Sequence, residues 1–198
     1  MQKRNELTMN RIIDSAEVLF SEYDFYDVKI ENIAQKADVG KGTVYTYFKS
    51  KEDLFFRCMF RNIEENQKTI TEILTANKDF KSALHIIYYI MFDFTRKKGP
   101  LLQQFMNMGP KLKLSQEYFQ YIRSCFKKGF ETMAEFFQKG IDEGIMVDSL
   151  TARQMAIVFM KIFDFNIVFN FYGEPEMDVE ASYNFFKNTF FKKGVNNE

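Results

Sequence analysis

Ile33-Ala34-Gln35-Lys36-Ala37-Asp38-Val39-Gly40-Lys41-Gly42-Thr43-Val44-Tyr45-Thr46-Tyr47-Phe48-Lys49-Ser50-Lys51-Glu52-Asp53-Leu54 is the stretch on which the fold turns. With Ile30 before them, Ile33, Ala34 and Ala37 recur at the spacing of one short helical face. Asp38-Val39-Gly40 breaks that period, and a second short helix follows over 41–48 with Val44 and Phe48 one turn apart as its inward pair. Two short helices joined by a tight glycine-containing turn have the shape of a helix-turn-helix. With Val44 and Phe48 inward, steps of about 100° turn Gly42 and Thr46 outward and set Thr43 and Tyr45 on the flanks. Ser50 with Asp53 three residues on is a capping-box-like start for the next helix.

Outward from this stretch the helical period continues. Ile12, Ile13, Ala16, Leu19 and Phe20 make one face of a helix over 8–22. Leu54, Phe55, Cys58, Met59, Ile63, Ile70 and Ile73 carry a long helix out of the small module over 51–75. A second long helix is expected to end at Gly99-Pro100, with Gly109-Pro110 isolating the segment 101–108. Phe119, Ile122, Phe126, Phe130, Met133 and Phe137 stripe a further helix that stops near Gly144. Thr151 with Gln154 is a capping box for a helix over 151–172, and the last helix, over 176–193, carries Val179, Tyr183, Phe186 and Phe190. No period-2 strand and no internal repeat is visible.

Composition bounds the function. The chain has 198 residues, 46% apolar and 27% charged, enough to build a core and keep it in water. Lys plus Arg equal Asp plus Glu at 27 each, so any basic surface is local. The apolar stretch 155–171 is interrupted by Lys161, Asp164, Asn166 and Asn170, and residues 1–10 lack the apolar run of a signal peptide. A cytoplasmic protein without a membrane partner is expected. Cys58 and Cys125 read as reduced thiols. One histidine, His85, supplies no metal-site or triad spacing, and Gly40-Lys41-Gly42-Thr43 fails as a phosphate loop because Gln35 stands at the upstream glycine position. Neither an enzyme nor a cofactor or metal is expected.

The run from Ile33 to Leu54, combining an IA..A.V turn, KGTVY and YF.SKEDL, resembles the TetR family of bacterial transcriptional regulators. A weaker echo, Lys139-Gly140-Ile141-Asp142-Glu143-Gly144, precedes Thr151. The resemblance implies an all-α chain: an N-terminal three-helix helix-turn-helix DNA-binding module over 1–50 and a larger C-terminal helical ligand-binding and dimerisation domain over 51–198. Two positions depart from the family. Asp24 stands where glycine is usual, implying a strained left-handed residue, and Lys29 stands where a capping threonine is usual.

On that reading Lys41, Gly42, Thr43, Tyr45 and Thr46 face the groove, while Lys29, Lys49, Lys51 and Tyr47 contact phosphate; spacing alone fits a solvated helix surface as well. Lys36, Lys41, Lys49 and Lys51 make the charge locally basic, and Asp14, Glu17, Glu22, Asp24, Asp27 and Glu31 are expected to cover the back of the module. Lys3 and Arg4 precede the first helix as an arm or a frayed end. For the 24 Phe, 10 Tyr and 11 Met two readings compete. In one, His85, Tyr89, Phe92, Phe105, Phe126, Phe130, Met133 and Phe163 line a cavity for a lipophilic ligand; in the other such residues are packed core, and His85 is simply satisfied or exposed. Val179, Tyr183, Phe186 and Phe190 are expected to form the seam of a homodimer, and the helix over 51–75 is the evident mechanical link. The expected function is a DNA-binding repressor of a near-palindromic operator, released by a lipophilic small molecule; the rival is a DNA-independent small-molecule binding protein on the same scaffold.

Overall fold

The computed structural model describes residues 2–76, 79–108, 116–163, 175 and 177–194. They form α1 (Gln2–Glu22), α2 (Ile30–Lys36), α3 (Lys41–Tyr47), α4 (Lys51–Ala76), α5 (Phe80–Met108), α6 (Gln116–Asp142), α7 (Ala152–Ile162) and α8 (Val179–Phe190). Among the described residues the only extended pairing is a single antiparallel bridge, Met146 to Phe191, so the all-α expectation holds. α1 begins at Gln2, which puts Lys3 and Arg4 inside the helix and not on an arm ahead of it.

Two compact units result: Met1–Glu64 with Pro100–Leu114, and Glu65–Gly99 with Ser115–Glu198. In the first, the apolar faces read from the sequence meet in one core. Ile12, Ala16 and Phe20 of α1, Ile33 of α2, Val44 of α3 and Leu54, Phe55 and Phe56 of α4 are all buried. Phe20 and Phe55 meet edge to face at 5.0 Å, a geometry that adds to the value of their buried area. Arg61 clamps α4 to α1 by donating to Asp14 Oδ1 at 2.6 Å and Glu17 Oε2 at 2.8 Å. Asn62 donates to the same Glu17 oxygen and to the Cys58 carbonyl, so its buried amide is satisfied.

The turn between α2 and α3 is a complete Schellman stop. Val39 N donates to Ala34 O at 3.0 Å and Asp38 N to Gln35 O at 3.1 Å, with Asp38 at φ 52° in the left-handed position. The strained residue is therefore Asp38 and not Asp24. Asp24 instead uses its Oδ1 to accept from Tyr26 N at 2.9 Å, and its carbonyl accepts from Asp27 N and Val28 N. Asp38→Gly should raise the melting temperature, since left-handed strain of about 1 kcal/mol or more exceeds the entropic cost of glycine, ~0.5–1 kcal/mol. A thermal melt showing no gain would mean that the Asp38 side chain contributes more than its backbone costs.

α5 departs from expectation by running through Gly99-Pro100. An interior proline costs about 3 kcal/mol. Burying Leu101 and Phe105 on the far side of it returns about 1.5–3 kcal/mol each, so continuation wins. Past Pro100, Gln104 fastens the end of α1: its Nε2 donates to Phe20 O at 2.9 Å and Tyr23 O at 3.2 Å, and its Oε1 accepts from Phe25 N at 2.9 Å.

The second unit packs around Phe159 of α7, whose ring lies 5.3 Å from Phe137, 5.0 Å from Phe163 and 5.4 Å from Phe186. The Thr151 capping box forms in full: Thr151 Oγ1 accepts from Gln154 N at 3.2 Å and Gln154 Oε1 from Thr151 N at 2.9 Å. α6 ends as its sequence suggests, with Gly144 at φ 71° and Ile145 N donating back to Gly140 O at 3.0 Å. Gly140 has a second reason to be glycine: a Cβ there would lie 2.4 Å from the Phe80 ring. Residues 164–174, on which the expected continuation of α7 and the polar residues Asp164, Asn166 and Asn170 fall, lie outside the described residues.

Candidate nucleic-acid interface

α3 presents what its register demands. Val44 and Phe48 are buried, Gly42 and Thr46 are exposed, and Tyr45 keeps 48% of its surface. Thr43 and Tyr47 are half-buried on the flanks. Among the described residues nothing outside its own helix backbone and chain neighbours lies within 4 Å of where a Gly42 Cβ would stand, so packing does not require glycine; the bare backbone faces outward. Thr46 Oγ1 donates to Gly42 O at 3.0 Å, which uses its hydrogen and leaves both oxygen lone pairs and the methyl for other contacts. Such a surface offers aromatic, methyl and acceptor groups of the kinds that meet base edges.

Around it the lysines divide. Lys29, Lys36 and Lys49 are exposed with no ion-pair partner among the described residues, so their ammonium groups are available to phosphate. Lys29 is the N-cap of α2 at φ −101° and ψ 145° without a side-chain cap bond, as expected where threonine is replaced. Lys49 N donates to Asp53 Oδ2 at 2.8 Å while Ser50 Oγ accepts from Asp53 N at 3.2 Å, so the start of α4 is capped one residue wider than a standard box.

Lys51 is turned inward. Its ammonium donates to the carbonyls of Phe25 at 2.7 Å and Val28 at 2.8 Å and lies 4.3 Å from the centroid of the Phe25 ring. Burial moves its pKa below the ordinary lysine value, against the pull of Glu52 and Asp24. A lysine at the first position of α4 thus fastens the α1–α2 turn, as Gln104 also does. Lys51→Met should cost about 1–3 kcal/mol of stability by stranding the two carbonyls. It should leave the slope of log affinity for DNA against log salt unchanged, whereas a phosphate contact would take about 0.9 from that slope.

The acidic residues do not simply cover the back. Asp14 and Glu17 are spent on Arg61, and Glu31 reaches across to Lys41 Nζ at 2.5 Å. Lys41 is therefore held by a partner that the spacing of α3 alone did not reveal.

Of the residues expected to line one apolar cavity, Met133 and Phe163 lie in one buried cluster and Tyr89, Phe92 and Phe130 pack against it. Phe105 belongs to the first unit, edge to face with Phe56 at 5.5 Å. Phe126 is 44% exposed, while Met133 and Phe137 further along the stripe of α6 are buried. Phe163 is buried against Tyr88 and Phe159, and Phe92 and Phe130 flank the same core. His85 is exposed, its ring 4.6 Å from Tyr89 and 4.8 Å from Tyr183, and Tyr89 donates to Glu180. A cavity of about 30 Å³ lies beside Gln67, Ile70, Thr71, Lys128 and Met133, room for one water and not for an effector.

The expected dimer seam is likewise inward. Tyr183, Phe186 and Phe190 are buried in the chain's own core, with Val179 packed at its edge. Phe186 lies 5.8 Å from Tyr88 and 6.2 Å from Phe137. The apolar residues that α7 and α8 leave in water are Ile157 and Phe185, the latter 61% exposed.

A buried helix-turn-helix scaffold that turns a glycine, a tyrosine and a threonine outward among free lysines defines a DNA-binding regulator. The family model described as bacterial regulatory proteins, tetR family, matches residues 12–58. A fatty acid metabolism regulator protein of Bacillus subtilis (strain 168) is 31% identical over 150 residues, 73% of this chain and 75% of its own. An HTH-type transcriptional regulator of Staphylococcus aureus (strain MRSA252) is 24% identical over the whole of both chains. The fold is shared with a transcriptional regulator from Saccharomonospora viridis solved in complex with choline, at TM-score 0.79 and 16% identity over 93% of this chain and 98% of that one. The chain belongs to the TetR family of transcriptional regulators. Among the described residues no helix is long and apolar enough to cross a membrane.

Proposed function

We propose that the protein is a homodimeric repressor that leaves its operator when an acyl compound of fatty-acid metabolism binds. The observation that carries the DNA-reading half is the outward set Gly42, Tyr45 and Thr46 on a helix whose Val44 and Phe48 are buried. Residues 1–50 do the reading, and 51–198 the sensing and pairing. Two copies meet through the faces of α7 and α8 that carry Ile157 and Phe185, so that two α3 helices reach successive major grooves about 34 Å apart on a near-palindromic site.

The effector half is supported by the relative named as a fatty acid metabolism regulator and by chemistry beside the small cavity. Ile70 and Met133 offer apolar walls, and Lys128 stands at the same opening for an acidic head. An acyl chain entering there parts α4 from α6. α4 also supplies Leu54, Phe55 and Phe56 to the core under the recognition helix, so its displacement moves the reading module. Lipophilic occupancy and DNA occupancy then oppose one another, and each must weaken the other by the same factor. Titrating oleic acid and oleoyl-coenzyme A into the protein, free and on a duplex it selects, tests this. Weaker binding in the presence of DNA is the expected result; equal affinities would exclude release by these compounds, and absence of any selected duplex would favour the DNA-independent binding protein.

A further inference from the structure

Glu31 stands in the first turn of α2 and Lys41 is the first residue of α3. Their side chains, 57% and 52% exposed, meet with Lys41 Nζ 2.5 Å from Glu31 Oε1. Ion pairs such as Lys68 with Glu72 and Lys97 with Asp93 run along one helix, whereas this one joins the starts of the two helices of the reading module beside the bare backbone of Gly42. An exposed pair adds little to stability, so folding gives no reason for it. A carboxylate on a DNA-facing surface is moreover repelled by phosphates unless a donor meets it, and the donors in the major groove are the exocyclic amino groups of cytosine and adenine.

We propose that Glu31 and Lys41 act together as a reader of one G·C base pair in each half-site. In the major groove guanine O6, an acceptor, and the cytosine N4 amino group, a donor, lie side by side at hydrogen-bond separation, because they pair with each other. An ammonium and a carboxylate oxygen held at a similar separation complement them: Lys41 donates to O6 and N7 while Glu31 accepts from N4. Lysine has three donor hydrogens and a carboxylate about four acceptor sites, so the pair keeps its own bond while making the new ones. The hydrogen bond from Lys41 holds the Glu31 carboxyl below its usual range, leaving it ionised and able only to accept. The reversed pairs, C·G and A·T, set a donor against the ammonium and an acceptor against the carboxylate. T·A keeps the order of acceptor and donor but replaces N7 with a methyl group, so it ranks between. The inference deepens the DNA-reading assignment and rests on it.

Selection of duplexes from a random-sequence library by the full-length protein, repeated with Glu31→Gln and Lys41→Met, tests it. The wild type should fix one G·C pair per half-site, with C·G there weakening binding by tenfold or more. Both variants should lose preference at that position alone and keep it elsewhere, and Glu31→Gln should bind random DNA more tightly because a negative charge has gone. Selected sites with no fixed G·C pair, or a fixed pair whose preference survives both substitutions, would overturn the proposal. So would variants that weaken every position alike, as a phosphate contact does. Failure of the wild type to enrich any sequence would instead overturn the DNA-reading assignment and this inference with it.

Discussion

Phe186→Glu should prevent the second unit from folding, while Phe185→Glu at the next position should leave it folded and monomeric. The two rings differ only in where the helix turns them. Phe186 is fully buried, with the rings of Tyr88, Phe137, Phe159 and Phe190 around it at 4.8 to 6.2 Å. Truncation to alanine there removes about 3–5 kcal/mol, a large part of a domain's whole stability, and an unpaired carboxylate costs more. Phe186→Ala is thus the milder control, with a fall of ~10 °C in melting temperature. Phe185 is exposed, and its replacement should change stability by no more than about 0.5 kcal/mol. Sedimentation of Phe185→Glu as a folded dimer would move the proposed seam off α8, and a stable Phe186→Glu chain would contradict the core described for this unit.

The second large effect concerns DNA. Tyr45→Ala with Thr46→Ala should lower affinity for the selected duplex by about 1–3 kcal/mol for each lost base contact, and leave affinity for random DNA and its salt slope nearly unchanged. Both side chains point away from the core that holds α3, and among the described residues the one side-chain hydrogen bond either makes is that of Thr46 to its own helix at Gly42 O. Their removal therefore takes nothing from folding. A uniform loss across all sequences would show that these residues position the helix and do not read bases.

The reading module was legible because it is small and its register is pinned. Once Val44 and Phe48 point inward, every other residue of a seven-residue helix is placed, and the structure agrees at Gly42, Tyr45 and Thr46. The longer helices were legible in kind and not in partner. Amphipathic spacing says that Tyr183, Phe186 and Phe190 share a buried face; it does not say whether the cover is another chain or Phe159 of the same one. The stripe on α6 failed at Phe126 for a related reason: period gives the face, but only packing gives how far along the helix it is covered. Gly99-Pro100 read as a break because local propensity favours one, and burial of Leu101 and Phe105 overrode it. Lys51, Gln104 and the Glu31 to Lys41 pair were beyond reach, since each depends on contacts between residues ten to eighty-four apart in sequence.

Base reading by α3 is tested most directly by the ratio of affinities for two duplexes of equal length, one enriched from a random library and one of scrambled sequence, measured at two salt concentrations for the wild type and for Tyr45→Ala with Thr46→Ala. The wild type should prefer the enriched duplex by roughly a thousandfold or more, as specific regulators do, and the double variant should lose most of that ratio while both duplexes keep the same salt dependence. Equal affinity of the wild type for the two duplexes, or an unchanged ratio in the double variant, would contradict it.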